Sequence, residues 1–587
     1  MEVTVKNENC ASSIPPSDGC ANTENDPFAY LERSSFTSEK FKIEIRGLPK
    51  FYGLNEFRKL LNKKLNLKSA KIKPPKRNAG WMYVCFRTEE DRQNAITVLD
   101  GYVWKNKTLT AQIASAVPDP LVQKRFENKR AEPKLFDDQM SSVDKLKQST
   151  VPLWNVPYEE QLKLKMNNMR SILEQLGKEL LHCNKMNSSV RNIVEKRCQQ
   201  YSGLPCELVD IKYAPFEKIA KGYRNKCEFT IGIDDETGLK TVGFRFGSYV
   251  QGSTSVGSIA GLPHIPEEMC LVVKNFEQFI RASDLEVYNP ENHCGFWKQL
   301  TVRLGTNTKQ IMVIISTNIV DVSEENLEKV QSGIIEFFTQ KSGKECNVTS
   351  LYLQKADYKS NIKSKDDTLQ LLYGSSTIVE ELCGLKFYIS PSSFFQTNTA
   401  AAEVLYTAVN ELTSLSEQIT LLDICCGTGS IGLCLSKGGA QVLGIESEAS
   451  AVENAKFNCE QNNIQNCTFF HGKAEDILSS VINKASNKEI VAVVDPPRSG
   501  LHQKAIIQLR RSKIQKLIYL SCNPKAALKN FVTFGKPPSK TLFGSQFLPV
   551  KAIPVDNFPH TNHCELILYL ERFGGDDTES NTNNVSS

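Results

Sequence analysis

The chain has 587 residues, of which 40% are hydrophobic and 23% charged, with a formal net charge of +5. That length exceeds what one hydrophobic core supports, so two or three folded domains are expected, while so small a net charge does not by itself call for a polyanionic partner. Eighteen cysteines without short regular spacing read as reduced thiols, which points to cytosol or nucleus and excludes a disulfide scaffold. Residues 1–28 show neither an apolar core nor an Arg-rich amphipathic pattern, so no leader is expected; no apolar run approaches the roughly 20 residues of a membrane span.

Residues 1–36 are rich in Asn, Ser, Pro and acidic residues and read as a disordered tail. Over 37–116 the pattern runs strand, helix, strand, strand, helix, strand. Ile43 and Ile45 alternate with Glu44 and Arg46, Phe57, Leu60, Leu61 and Leu65 recur at helical spacing, 81–86 reads as a strand, and Ala95, Ile96 and Leu99 mark a second helix. This order resembles the ferredoxin-like plan of an RNA-recognition motif, whose sheet stacks unpaired bases on aromatic side chains. The segment Ala79-Gly80-Trp81-Met82-Tyr83-Val84-Cys85-Phe86 resembles that family's longer signature, and it sets Trp81 and Tyr83 on one strand face as candidate RNA contacts. In the shorter one, Ile43-Glu44-Ile45-Arg46-Gly47-Leu48, Glu44 stands where a stacking aromatic is usual, and a carboxylate there repels phosphate. Ordinary sheet packing is the competing role for both aromatics.

Residues 117–150 carry many charges of both signs and read as a linker. Leu162, Met166, Met169, Leu173, Leu176 and Leu180 then mark an amphipathic helix whose stripe is read as core packing. This helix and a mainly antiparallel α+β domain are assigned to 151–390, with strands near 227–233, 242–246, 300–304 and 310–315 and a helix over 324–340. Within that domain Arg224 and Lys226 share one strand face, as candidate phosphate or base contacts or as a solvent-facing pair. Regular alternation of apolar strand and helix over 391–573 predicts a doubly wound α/β sheet, and 574–587 reads as a second polar tail.

In that last domain an apolar strand ends in Asp423 and runs into Cys425-Cys426-Gly427-Thr428-Gly429, after which Ile431, Leu433 and Leu435 open a helix. Such a turn lets backbone approach a nucleoside-like ligand at the carboxyl edge of an open sheet. A second strand ends in Glu446, an acid placed to grip ribose hydroxyls, and the third glycine of a dinucleotide fingerprint is absent. The pattern resembles a class I S-adenosylmethionine-dependent methyltransferase. The adjacent Cys425 and Cys426 lack a C-x-x-C partner and are read as packing residues.

Three further segments bear on the chemistry: Asp495-Pro496-Pro497-Arg498, Ser521-Cys522-Asn523-Pro524, and Asp556-Asn557-Phe558-Pro559-His560-Thr561 leading to Glu565. Each follows or precedes an expected strand edge, and proline-stiffened turns hold side chains in place. Uridine C5 takes a methyl group only after a thiolate adds at C6, and a base must then remove the C5 proton. Cys522 and Glu565 are the candidates for those two roles.

These segments, with Ser390-Pro391-Ser392-Ser393-Phe394-Phe395-Gln396-Thr397-Asn398 and the Gly427–Gly429 turn, resemble the tRNA (uracil-5-)-methyltransferase family in order and spacing over about 151–573. The resemblance implies Cys522 as nucleophile, Glu565 as base, Gln396, Glu446 and Asp495 as cofactor-site residues beside Gly427 and Gly429, S-adenosyl-L-methionine as cofactor, and tRNA as partner, its T-loop uridine being the target. It leaves open another RNA class, or an RNA-folding helper with secondary catalysis. Some relatives hold an iron–sulfur cluster in closely spaced cysteines; Cys183, Cys198 and Cys206 are too far apart, so neither cluster nor zinc is expected. His560 and His563 are read as structural or RNA-contacting, and both Phe394 and Phe395 as packing residues in preference to filling the base stack that an extruded uridine vacates.

Overall fold

The computed structural model describes residues 28, 31, 37–49, 52–73, 80–118, 140–183, 186–247, 254–320, 322–356 and 368–574. The two expected tails and the middle of the expected linker therefore lie almost wholly outside the described residues. The chain divides into two compact units, one formed chiefly by residues 1–133 and the other by most of the chain from 134 onward.

In the first unit a four-stranded antiparallel sheet has the order Lys71–Lys73, Trp81–Cys85, Lys42–Arg46, Thr110–Ile113. Alternation sends Ile43, Ile45, Met82 and Val84 to one face, where they pack with Phe57 and Leu61 and with Leu99 of the helix Glu89–Leu99. The other face carries Glu44 opposite Tyr83 and Arg46 opposite Trp81.

The second unit contains two large sheets. The first runs Val256–Ser258, Lys240–Arg245, Lys226–Ile233, Trp297–Leu304, Ile311–Asn318, Val348–Ala356, Thr368–Gly374. All its pairings are antiparallel except Ile311–Asn318 with Val348–Ala356, which the crossover helix Glu324–Gln340 joins. One face is covered by that helix and by Glu267–Arg281, whose apolar row of Met269, Val272, Val273, Phe276 and Ile280 is buried.

The end of the expected linker over 117–150 is helical instead. Ser141 caps a helix, Ser142–Thr150, by accepting from the Asp144 backbone N–H at 3.1 Å, and Leu146 is buried in the core of this sheet. Charge balance hid one apolar anchor, and the last nine residues of the expected linker form this helix.

The second sheet has eight strands in the order Cys467–His471, Gln441–Glu446, Ile419–Ile424, Glu489–Val494, Lys516–Ser521, Glu565–Arg572, Phe547–Val555, Glu207–Leu208. The first five are parallel, as the strand–helix alternation predicts; Glu565–Arg572 is antiparallel to both its neighbours. A core lies on each face.

The helix Tyr158–Leu181 belongs to this body. Met169, Leu173, Leu176 and Leu180 share the core of Phe531 and Phe534, and Glu207–Leu208 extends the sheet. The expected division at 390 is thus not where the chain separates. An amphipathic stripe says that a helix packs, not on what.

Candidate active site

The site lies at the carboxyl edge of the parallel strands, where each chain leaves the sheet through a turn that the sequence makes rigid. Gly427 and Gly429 adopt left-handed backbone, with φ of 55° and 77°. A Cβ on Gly429 would meet Phe469 at 2.9 Å and Ala455 at 3.1 Å, whereas one on Gly427 would enter open space. The backbone at Gly427 thus forms an open glycine cradle that a ligand can approach closely.

Glu446 is half-buried at the tip of the neighbouring strand. It accepts from the Gly427 N–H at 3.0 Å through one carboxylate oxygen and from the Ser447 and Glu448 N–H groups through the other. Asp423 is fully buried: one oxygen accepts from the Gly432 N–H at 2.9 Å and the other has no partner. Burial pushes its carboxyl up to about 7 against the hydrogen bond from Gly432, with Asp495 and Glu446 pushing the same way as burial. Desolvation also raises Asp495 to about 7. Crowded acids around a glycine cradle suit a cationic ligand with ribose-like hydroxyls.

Gln396 is buried in the next turn. Its side-chain oxygen accepts from Asn557 at 3.2 Å, and its backbone carbonyl accepts from the Asn225 side chain at 2.9 Å. Of the residues expected around the cofactor, Gly427, Gly429, Glu446 and Asp495 thus belong to connected turns along one sheet edge, while Gln396 lies before the helix Thr399–Thr413 and is tied to Asn557, which follows the strand Phe547–Val555.

Cys522 follows the strand Lys516–Ser521 and precedes a helix that Asn523 caps and Pro524 opens. A helix N-terminus favours a thiolate. Ser521 pairs with Leu566, so the same antiparallel register carried one residue further sets Cys522 opposite Glu565. Burial raises the Cys522 thiol, Glu565 and Asp495 raise it further, and Arg498 opposes them by charge and hydrogen bond. Glu565 is buried, and its carboxyl lies well above its ordinary range because of burial and then the charge of Asp495.

The remaining candidates divide. Trp81 and Tyr83, both half-buried, share the second face of the first unit's sheet, edge to face at 5.1 Å, and Lys42 lies 4.6 Å over the Tyr83 ring. Glu44 on that face is paired with Arg46 at 2.6 Å, which offsets its repulsion of phosphate. Arg224 and Lys226 are both half-buried, Arg224 donating to the Lys226 carbonyl and Lys226 paired with Glu228. Asn225 between them is stitched to Gln396 and to the Thr399 hydroxyl. Cys426 is buried in the core on one face of the sheet, and Cys425 is partly buried against the core on the other.

His560 is buried, with its ring between the Gln161 side chain and the Ala220 carbonyl, and desolvation pulls its pKa down. Phe395 packs on Phe387, but Phe394 is 64% exposed, a correction to the expectation that both pack. The alternation of an extended segment sends neighbours to opposite sides.

Sequence reasoning missed Arg303. It is buried with its Nη2 donating to the Ser393 carbonyl and its other two nitrogens unpartnered; an arginine between Val302 and Leu304 in a strand was the available signal. Among the described residues no group of three or more His, Cys, Asp or Glu side chains is disposed to hold a metal ion.

A family model described as tRNA (Uracil-5-)-methyltransferase matches residues 340–573. The mouse tRNA (uracil-5-)-methyltransferase homolog A is 38% identical over 93% of this chain and 86% of its own length. Human homolog B is 39% identical over 73% of this chain and 84% of its own. Among solved structures, the Pyrococcus abyssi tRNA (uracil-54, C5)-methyltransferase in complex with S-adenosyl-L-homocysteine aligns with a TM-score of 0.50 at 24% identity, over 71% of this chain and 84% of that one, a likeness of fold. With this identity across nearly the whole chain, and the class I α/β sheet beneath the site, the chain belongs to the tRNA (uracil-5-)-methyltransferase family.

Proposed function

We propose that the protein methylates C5 of a uridine in tRNA, the T-loop uridine, with Cys522 as nucleophile and Glu565 as base. The observation that supports this reading is the antiparallel pairing of Ser521 with Leu566, the residues next to Cys522 and Glu565, together with the charge effects of Glu565 on Cys522 and of Asp495 on both. The cradle over Gly427, the unpartnered oxygen of Asp423 and the backbone-held carboxylate of Glu446 fit S-adenosylmethionine. When bound, that cofactor supplies an electrophilic methyl group.

The chain's own groups do the rest. The Cys522 thiolate forms a bond to uridine C6, leaving C5 electron-rich enough to accept the methyl. The Glu565 carboxylate then takes the C5 proton, the C6–S bond breaks, and its electron pair returns to sulfur. Arg498 favours the thiolate, and the helix capped by Asn523 adds its N-terminal dipole. A uridine in folded RNA must be extruded to reach Cys522. The first unit serves as an RNA-recognition motif, with Trp81 and Tyr83 as its stacking pair, and Arg224 and Lys226 contact the RNA backbone or base near the site.

The test is tRNA carrying 5-fluorouridine, incubated with S-adenosylmethionine and resolved on a denaturing gel. Fluorine at C5 blocks the elimination, so wild type is expected to remain covalently attached and Cys522→Ala to give no attached species. Replacing the T-loop fluorouridine alone with cytidine should abolish attachment. Absence of attachment by wild type, with tRNA binding intact, would replace this reading with that of an RNA-folding helper.

A further inference from the structure

Residues 556–564 connect the end of the strand Phe547–Val555 to Glu565 at the start of the next strand. Its first five residues, 556–560, are each fastened to groups outside it. The Asp556 carboxylate accepts from the Lys165 ammonium at 2.6 Å and from the Tyr158 hydroxyl at 2.9 Å. The same ammonium donates to the Phe558 carbonyl at 2.9 Å. Gln161, one helical turn before Lys165, accepts from the His560 backbone N–H at 2.8 Å. On the other side the Asn557 side chain donates to Gln396, and the Pro559 carbonyl accepts from the Tyr223 hydroxyl at 3.0 Å.

Lys165 and Asp556 are both fully buried. Removing two charges from water costs about as much as their attraction returns, so an apolar pair of similar volume would serve stability equally well. What an apolar pair lacks is direction. The ammonium ties two atoms of the connection, two residues apart, to one point on a rigid helix, and Asp556 directly follows Val555, the residue whose register partner is Glu565.

We infer that Lys165 and Gln161 are positioning residues for the base: they lock the 556–560 segment so that the Glu565 carboxylate meets the C5 proton. This rests on the assignment of Cys522 and Glu565 above. The consequence is selective. Addition of Cys522 and methyl transfer proceed without the base, whereas the final proton abstraction requires it, so loss of the lock stalls the enzyme while it is joined to methylated RNA.

The experiment compares wild type, Glu565→Gln, Lys165→Met and the double variant Lys165→Met/Asp556→Asn, which leaves no unpaired buried charge. Each is assayed for attachment to 5-fluorouridine tRNA, for multiple turnover, and for covalent species formed on unmodified tRNA with S-adenosylmethionine. The expected result is fluorouridine attachment near the wild-type rate, turnover lower by about 10²-fold as for a misplaced catalytic group, and covalent species accumulating on unmodified tRNA as in Glu565→Gln. Attachment and turnover falling together, turnover left unchanged, or failure of both Lys165 variants to fold would each overturn the inference. No attachment by wild type would instead overturn the nucleophile assignment on which it rests.

Discussion

Burial decides the protonation of the acids at this site. Asp423 and Asp495 ordinarily titrate at 3.8 and are raised to about 7, chiefly by desolvation. The folded, ligand-free protein therefore holds more protons than the unfolded chain between about pH 4 and 7. A raised carboxyl contributes stability below its unfolded pKa and loses it as pH rises through the folded value. Asp423→Asn removes one such group and keeps an acceptor for Gly432, so denaturant unfolding from pH 4 to 7 is expected to show wild type losing more stability than the variant. Equal losses would mean that Asp423 is charged throughout. At this scale the motifs that carry Cys522, Asp495 and Glu565 were legible in the sequence, because each is a proline-containing segment at a strand edge. The sequence did not reveal Lys165, Gln161 or Arg303, whose partners are supplied by distant segments.

For the elements, the two glycines of the turn make opposite demands. Gly429→Ala forces a Cβ against Phe469 and Ala455 in left-handed backbone and is expected to destabilise the protein by about 1–3 kcal/mol. Gly427→Ala meets nothing and should cost only about 1 kcal/mol, but its methyl occupies the cradle. Thermal unfolding with calorimetric titration of S-adenosylhomocysteine separates them: stability suffers more in the first, and affinity falls out of proportion to stability in the second. The helix Tyr158–Leu181 shows where periodicity misleads. The spacing of Leu162, Met166 and Met169 suggested the buried row, yet Leu162 and Met166 are only half-buried, and Gln161 and Lys165 occupy the inward positions before Met169 and Leu173. A hydropathy stripe is blind to a polar row that faces a polar connection.

Across the whole molecule, the capped helix Ser142–Thr150 sets where the chain can be cut. A protein starting at residue 140 retains Leu146 in its core, whereas one starting at 151 loses it. The first is expected to methylate tRNA with weakened RNA affinity, and the second to unfold at a lower temperature; RNA binding of the 140-start protein equal to that of the full chain would remove the RNA role from the first unit. The doubly wound sheet, the antiparallel middle sheet and the order of the motifs were legible in the sequence because strand period, helix period and turn residues are local properties. The packing of Tyr158–Leu181 and Glu207–Leu208 onto the catalytic body and the clamp on the Glu565 connection were not. Each depends on side chains hundreds of residues apart meeting in a water-free interior, where the partner fixes the charge and direction of a group, and only the tertiary structure supplies that partner.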